Sequence, residues 1–226
     1  MKLKLLAGVA AAGLFAATSA SAEPDGWYGA IDLGGHWMED GINAESDLGP
    51  TWEWEVNQGW AAFARLGYRL NPNWRVELEG GHRSGDIGTV RRFTDAVPSG
   101  LCNLTPATGP CHSPEGDIES NTLFLNAIYD FGSPDWTFRP FVGLGVYESN
   151  ISNEDIAQGG DHVGLETPRG AIGTVGVDVN ITPTWFARAD ARYMRARSDV
   201  NVAGQPTGQE LKLDPWTVGI GLGARF

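Results

Sequence analysis

The chain has 226 residues, a formal net charge of −12 and two cysteines. That length allows one domain with a generous core or two small ones. So acidic a balance argues against a nucleic-acid binder, which needs clustered Lys and Arg for phosphate contacts.

The first residues divide into three parts. Lys2 and Lys4 make a positive start, Leu5 to Ala17 a short apolar run, and Ala20-Ser21-Ala22 a small-residue cleavage site. This is the pattern of a secretory signal, expected to be cut after Ala22. Residues 1–22 are therefore read as signal peptide and 23–226 as one domain. The apolar run falls short of the ~20 residues a membrane helix needs, and no later stretch reaches 18. Overall hydropathy is mildly polar, yet a transmembrane barrel hides from such averages because only alternate residues face lipid.

Period two then runs through eight segments. Trp27, Gly29, Ile31, Leu33 and Trp37 alternate with Tyr28, Ala30, Asp32, Gly34 and His36. Trp60, Ala62, Ala64, Leu66 and Tyr68 alternate with Phe63, Arg65, Gly67 and Arg69, and Trp74, Val76 and Leu78 with Arg75, Glu77 and Glu79. Leu123, Leu125, Ala127 and Tyr129 alternate with Asn126 and Asp130, and Phe138, Val142, Leu144 and Val146 with Arg139, Gly143 and Gly145. Val175, Val177 and Val179 alternate with Gly176, Asp178 and Asn180, and Trp185, Ala187, Ala189 and Ala191 with Arg188, Asp190 and Arg192. The last segment sets Trp216, Val218, Ile220, Leu222, Ala224 and Phe226 against Thr217, Gly219, Gly221, Gly223 and Arg225. Successive strand side chains face opposite ways, so each segment has one apolar face and one small or charged face.

Connections alternate in length. Residues 71–73, 132–135 and 182–184 are tight turns, each with a proline, whereas roughly 38–51, 84–118, 148–166 and 197–214 are long and polar. Aromatic residues flank the short turns (Tyr68, Trp74, Tyr129, Phe131, Trp136, Trp185, Phe186), and Trp37, Trp52, Trp54, Tyr147, Tyr193 and Trp216 form a second girdle. A soluble barrel or sandwich also alternates, but it would pack its aromatics centrally. The expectation is all-β: an eight-stranded antiparallel up-and-down transmembrane β-barrel in a bacterial outer membrane, termini periplasmic and long loops extracellular.

Parity places Asp32, Arg65, Arg69, Arg75, Glu77, Glu79, Asp130, Arg139, Asp178, Arg188, Asp190, Arg192 and Arg225 inside. Eight strands leave a bore just wide enough for side chains to fill, so these charges are expected to pair as packing. A selectivity filter or gate is the competing reading.

The segments Gly26-Trp27-Tyr28-Gly29, Asn73-Trp74-Arg75-Val76-Glu77-Leu78-Glu79, Phe138 to Val146, Ala191-Arg192-Tyr193-Met194-Arg195 and the terminal Gly-Ala-Arg-Phe resemble the OmpA-like transmembrane domain and opacity-porin group of outer-membrane β-barrels. The resemblance covers residues 23–226 in strand order. It implies that Phe226 belongs to a terminal signal read by the barrel-assembly machinery. The sequence departs from OmpA itself in stopping at Phe226, so peptidoglycan binding does not carry over.

Cys102 and Cys111 share the longest loop, where an oxidising compartment predicts a disulfide. His36, His82, His112 and His162 lie towards the long-loop side without metal-motif spacing, and no metal or cofactor is expected. His82 and Ser84 share outward parity, a His-x-Ser arrangement similar to lipid A deacylases, but the surrounding residues do not match and no carboxylate partner is evident. Glu39, Asp40, Glu45, Asp47, Glu148, Glu154, Asp155, Asp161 and Glu166 make the loops acidic. Solvated charge is the plainer reading, and divalent-cation bridging to lipopolysaccharide phosphates the sharper one. The functional expectation is a monomeric, non-enzymatic surface barrel among outer-membrane lipid and lipopolysaccharide. A narrow low-conductance porin is the alternative, and a lipid A-modifying enzyme a distant third.

Overall fold

A computed structural model describes residues 26–38, 42–46, 49–92, 117–154, 163–165, 168–202, 205–212 and 214–226. The signal peptide with Ala22, the Cys102–Cys111 pair, His112 and His162 lie outside the described residues. Thirteen strands are assigned: β1 Trp27–Met38, β2 Ile42–Ser46, β3 Gly49–Val56, β4 Gly59–Arg69, β5 Trp74–Arg92, β6 Asp117–Asp130 and β7 Phe138–Glu154, followed by β8 Val163–Leu165, β9 Arg169–Asn180, β10 Trp185–Arg195, β11 Arg197–Val202, β12 Gln205–Lys212 and β13 Pro215–Arg225.

Eight of them close a ring. β1 pairs with β4, then β5, β6, β7, β9, β10 and β13 follow in order, and β13 returns to β1 through Tyr28↔Arg225 to Met38↔Pro215. Every pairing is antiparallel, so this is an eight-stranded up-and-down barrel. The outward face is apolar and the inside charged. Leu144 is 75%, Ile220 70% and Leu33 66% exposed, whereas Arg75, Asp130 and Asp178 are 0% exposed. A water-soluble barrel could not leave such side chains outside, because burying apolar surface is its main source of stability.

Three features depart from the sequence expectation. First, β5 has 19 residues and β7 has 17, and β2, β3, β8, β11 and β12 occupy segments read as loops. They extend the sheet from the far end of β5 in the order β3, β2, β12, β11, β8. Ladder hydrogen bonds need no lipid, so strands continue pairing past the point where an apolar face is required. Second, the interior is not only small and charged: Tyr28, Phe63, Phe124, Ile128, Phe141, Ile172 and Met194 are buried there. Third, Tyr147 and Phe186, expected in the girdles, are 4% and 1% exposed, because their parity turns them inward. The girdles themselves are made by outward rings in contact, such as Trp27 with Tyr68, Trp74 with Tyr129, and Tyr193 with Trp216 (centroids 5.0, 5.1 and 5.0 Å apart).

The short turns are held by side-chain acceptors. Asn71 Oδ1 accepts from the backbone N–H groups of Asn73 and Trp74, each at 2.9 Å, and Thr182 Oγ1 accepts from that of Trp185 at 2.9 Å. Gly132 adopts φ +78° beneath the Trp136 ring, where a Cβ would lie 2.5 Å from a ring carbon. Glycine alone meets both demands cheaply.

Candidate functional site

Inward parity on eight strands brings the charged residues together as two connected clusters along the bore. In the one nearer the strand extensions, Arg65 contacts Asp32, and its Nε lies 3.0 Å from Glu79 and Nη2 3.6 Å from Asp190. Arg192 reaches Glu79 at 2.5 Å and Asp190 at 2.8 Å. In the other cluster Arg75 reaches Asp178 at 2.8 Å, Asp130 at 3.0 Å and Glu77 at 3.6 Å. Arg188 reaches Asp178 at 2.6 Å and Glu77 at 2.9 Å, and Arg69 reaches Asp130 at 2.8 Å. The Tyr28 hydroxyl donates to Glu77 at 2.5 Å.

Ring order gives two of these contacts a special geometry. From β5 to β10 there are four strand steps in either direction, so the two strands stand diametrically opposed. Glu77–Arg188 and Glu79–Arg192 therefore run straight across the bore. Guanidiniums also lie over aromatic rings: Arg192 is 4.1 Å from the Phe63 centroid, and Arg188 and Arg75 are 4.6 and 4.9 Å from that of Phe141. Charge, fork geometry and stacking together fill the barrel, so it has a polar core where a soluble protein has an apolar one.

Two arginines near the short turns lean on carbonyl oxygens more than on carboxylates. Arg139 lies 3.9 Å from Asp130 and donates to the Pro72 carbonyl near the short turns. Arg225, half-buried at the same end, donates to Asn180 Oδ1 and, at 3.2 Å, to the Pro183 carbonyl, with its guanidinium over Phe186. Carbonyls at a strand end are ready acceptors there, for Arg139 at 2% exposure and for the part-exposed Arg225 alike.

Arg83 is the interior cation missed from sequence. It is 4% exposed, and among the described residues no carboxylate lies within ion-pair distance. Its Nε and Nη1 donate to the hydroxyls of Thr217 and Thr122, each at 3.3 Å, and its guanidinium lies 5.0 and 5.4 Å from the Phe63 and Phe124 centroids. Arg83 shares the parity of Arg75, Glu77 and Glu79, which was the available signal.

The His82 and Ser84 pair faces outward. His82 Nδ1 lies 3.0 Å from Asn121 Oδ1 and its ring 5.1 Å from that of Trp60. The partner is an amide, which cannot stabilise an imidazolium as a carboxylate does. His36 is inward and donates from Nε2 to the Ser84 carbonyl at 3.1 Å. Among the described residues no group of three His, Cys, Asp or Glu side chains is placed to hold a metal. Of the acidic loop residues, Glu45 ends up on β2 and Glu148 and Glu154 on β7. Glu148 is exposed and pairs with Arg169 at 3.1 Å, while Glu39, Asp40, Asp47, Asp155, Asp161 and Glu166 lie outside the described residues. Phe226 is 38% exposed and its backbone N–H donates to the Trp27 carbonyl at 3.0 Å, continuing the β1–β13 seam.

Comparison with known proteins agrees with this architecture. Outer membrane protein W of Salmonella typhimurium is 32% identical over 121 residues, which are 49% of this chain and 57% of that protein. The chain thus spans little more than half the length of that relative. Outer membrane protein W of Vibrio cholerae is 26% identical over 150 residues, 59% of this chain and 69% of that protein. The crystal structure of OprG from Pseudomonas aeruginosa superposes with a TM-score of 0.66 at 19% identity, covering 89% of this chain and 96% of that one. AlkL in lipid bilayers gives 0.62 at 14% identity, covering 93% and 94%. At such identities the two structures speak for the fold alone. The model of the outer membrane protein beta-barrel domain matches residues 7–226, and the chain belongs to that family.

Proposed function

We propose that this outer-membrane barrel works as a closed scaffold whose business is done by its long outer extensions. The observation that carries the reading is the pair of ion-pair crossbars, Glu77–Arg188 and Glu79–Arg192, joining opposite walls through the middle of the bore. Opening a solute path there would separate buried charges, each break costing about 3–5 kcal/mol.

In this reading residues 1–22 direct export and are removed after Ala22. The short turns and both termini face the periplasm, and the β2, β3, β8, β11 and β12 extension faces outward. A Cys102–Cys111 disulfide stiffens the longest loop. Phe226, at the end of the closing strand, serves the barrel-assembly machinery, and the barrel acts as a monomer without enzymatic activity, among outer-membrane lipid and lipopolysaccharide.

The test is single-channel recording of the purified chain in a planar bilayer. The scaffold reading expects no discrete openings from a folded barrel. Repeated openings whose size changes with Arg65→Ala or Arg188→Ala would make it a narrow porin instead. Loss of surface or cell binding on shortening residues 93–116, with folding intact, would then locate the work in the extensions.

A further inference from the structure

We propose that one flank of the outer rim holds the phosphates of a lipid A molecule, through Arg169, Arg195 and Arg197. This rests on the orientation taken above, with the strand extensions pointing outward.

The chain carries 16 Lys and Arg. Among the arginines whose side chains are described, eight serve the bore or its inner mouth: Arg65, Arg69, Arg75, Arg83, Arg139, Arg188, Arg192 and Arg225. The remaining three are Arg169, Arg195 and Arg197, all exposed. They are not scattered. Arg195 is in register with Ala171 across β9 and β10, so Arg169 lies one pleat further out on the neighbouring strand, level with Arg197. Arg197 is in turn in register with Lys212 of β12. The three Cα positions form a triangle with sides of about 5–8 Å.

Their height matters as much as their grouping. Tyr193 is in register with Trp216, and Trp216 with Trp37, so an aromatic row crosses three strands here. Arg195 lies one pleat, about 7 Å, beyond that row. Further in on the same face, Val146 and Val175 are 60% and 56% exposed. Aromatic rings mark the boundary of the apolar layer, and headgroup phosphates lie immediately outside it. Flexible arginine stems set there keep their stems on apolar surface and their forks among phosphates.

The opposite flank makes the contrast. At that rim, among the described side chains, β4, β5 and β6 present Trp60, His82, Ser84, Asn121 and Glu119, with no cation among them, and Arg91 and Arg92 follow only at the far end of β5. Where acid meets the patch at Arg169, its pair with Glu148 has side chains 73% and 56% exposed, so water screens the pair and a phosphate can compete for that guanidinium. Lipid A suits the site because it is the phosphorylated glycolipid of the leaflet this rim faces. Its two phosphates can engage different arginines at once, and Arg forks match phosphate oxygens two at a time.

The experiment titrates the purified full chain in neutral micelles with lipid A, with phosphatase-treated lipid A and with phosphatidylglycerol, counting bound lipid by native mass spectrometry. Replacing Arg169, Arg195 and Arg197 by Gln is expected to weaken lipid A binding about fivefold per arginine, with removal of its phosphates giving a similar loss in the unmodified chain. Arg83→Gln, inside the bore, leaves binding unchanged. Equal binding by the triple variant, or equal binding of phosphate-free lipid A, would overturn the patch. Equal binding of phosphatidylglycerol would overturn its assignment to lipid A. Because the phosphatase comparison uses the unmodified chain, a misfolded variant cannot hide the answer. Orientation is read separately, by labelling a cysteine placed at Asp199 on whole cells with an impermeant reagent. A protected cysteine beside intact phosphate dependence would fault the orientation and not the patch.

Discussion

The middle of the bore and its end beside the strand extensions solve the same problem differently. In the middle, Arg75, Arg188, Arg65 and Arg192 are each held by two or more carboxylates. At the extension end Arg83 is just as buried but is held by two hydroxyls and two aromatic rings. A buried charge thus needs compensation, yet not always a counter-ion: hydroxyl dipoles and the negative faces of rings serve where the bore nears the barrel's mouth. Removing a carboxylate from the middle leaves buried cations short of a counter-ion, whereas removing Arg83 takes no counter-ion from any charge.

Asp178 is where that difference is largest. It receives both Arg75 and Arg188 with no exposure to water, so Asp178→Ala is expected to cost about 3–5 kcal/mol, read as a lower urea midpoint in micelles. Arg192→Met comes next, at about 3 kcal/mol by the same mechanism, because it leaves Glu79 and Asp190 to share Arg65 alone. Arg83→Met should cost no more than about 1 kcal/mol, the worth of two long hydrogen bonds, since the new side chain still packs on Phe63 and Phe124. Equal losses at Arg83 and Arg192 would erase the distinction between the two regions. Outside the bore, Gly132→Ala is expected to cost about 1–2 kcal/mol for its left-handed φ, with Trp136 displaced as seen in its fluorescence. Glu148→Gln, breaking an exposed pair, should change stability by less than about 1 kcal/mol.

Much of the fold is legible because lipid imposes a rule that sequence must obey. Leu33, Leu144 and Ile220 share their parity with neighbours that also face the bilayer, and a single slip would turn charges into lipid. The extension strands obey no such rule. Trp52-Glu53-Trp54-Glu55-Val56 alternates, but its mate in β2 offers only Ile42 and Ala44 on one parity, too short a pattern to announce a strand, so the pairing of β3 with β2 and β5 is visible only in three dimensions. Inward residues are likewise readable and their partners are not. Glu77 could have met Arg75 two residues away on its own strand face, and does so at 3.6 Å, but its closer partner is Arg188 on the opposite wall. That choice follows from how the sheet closes, which no local pattern encodes. Arg83 was missed for a simpler reason: the outward His82 and Ser84 drew the chemistry, while the parity of the residue between them already pointed inward.

The central claim is that opposed strands are tied together through the bore, and a double-mutant cycle on Glu77 and Arg188 tests it most directly. Glu77→Gln, Arg188→Gln and the double variant would be unfolded in urea from the same micelles. A direct crossbar predicts that the losses fail to add by about 1.5 kcal/mol or more. Losses that add to within about 0.5 kcal/mol would mean that the two walls do not feel one another, and the closed-scaffold account would fall.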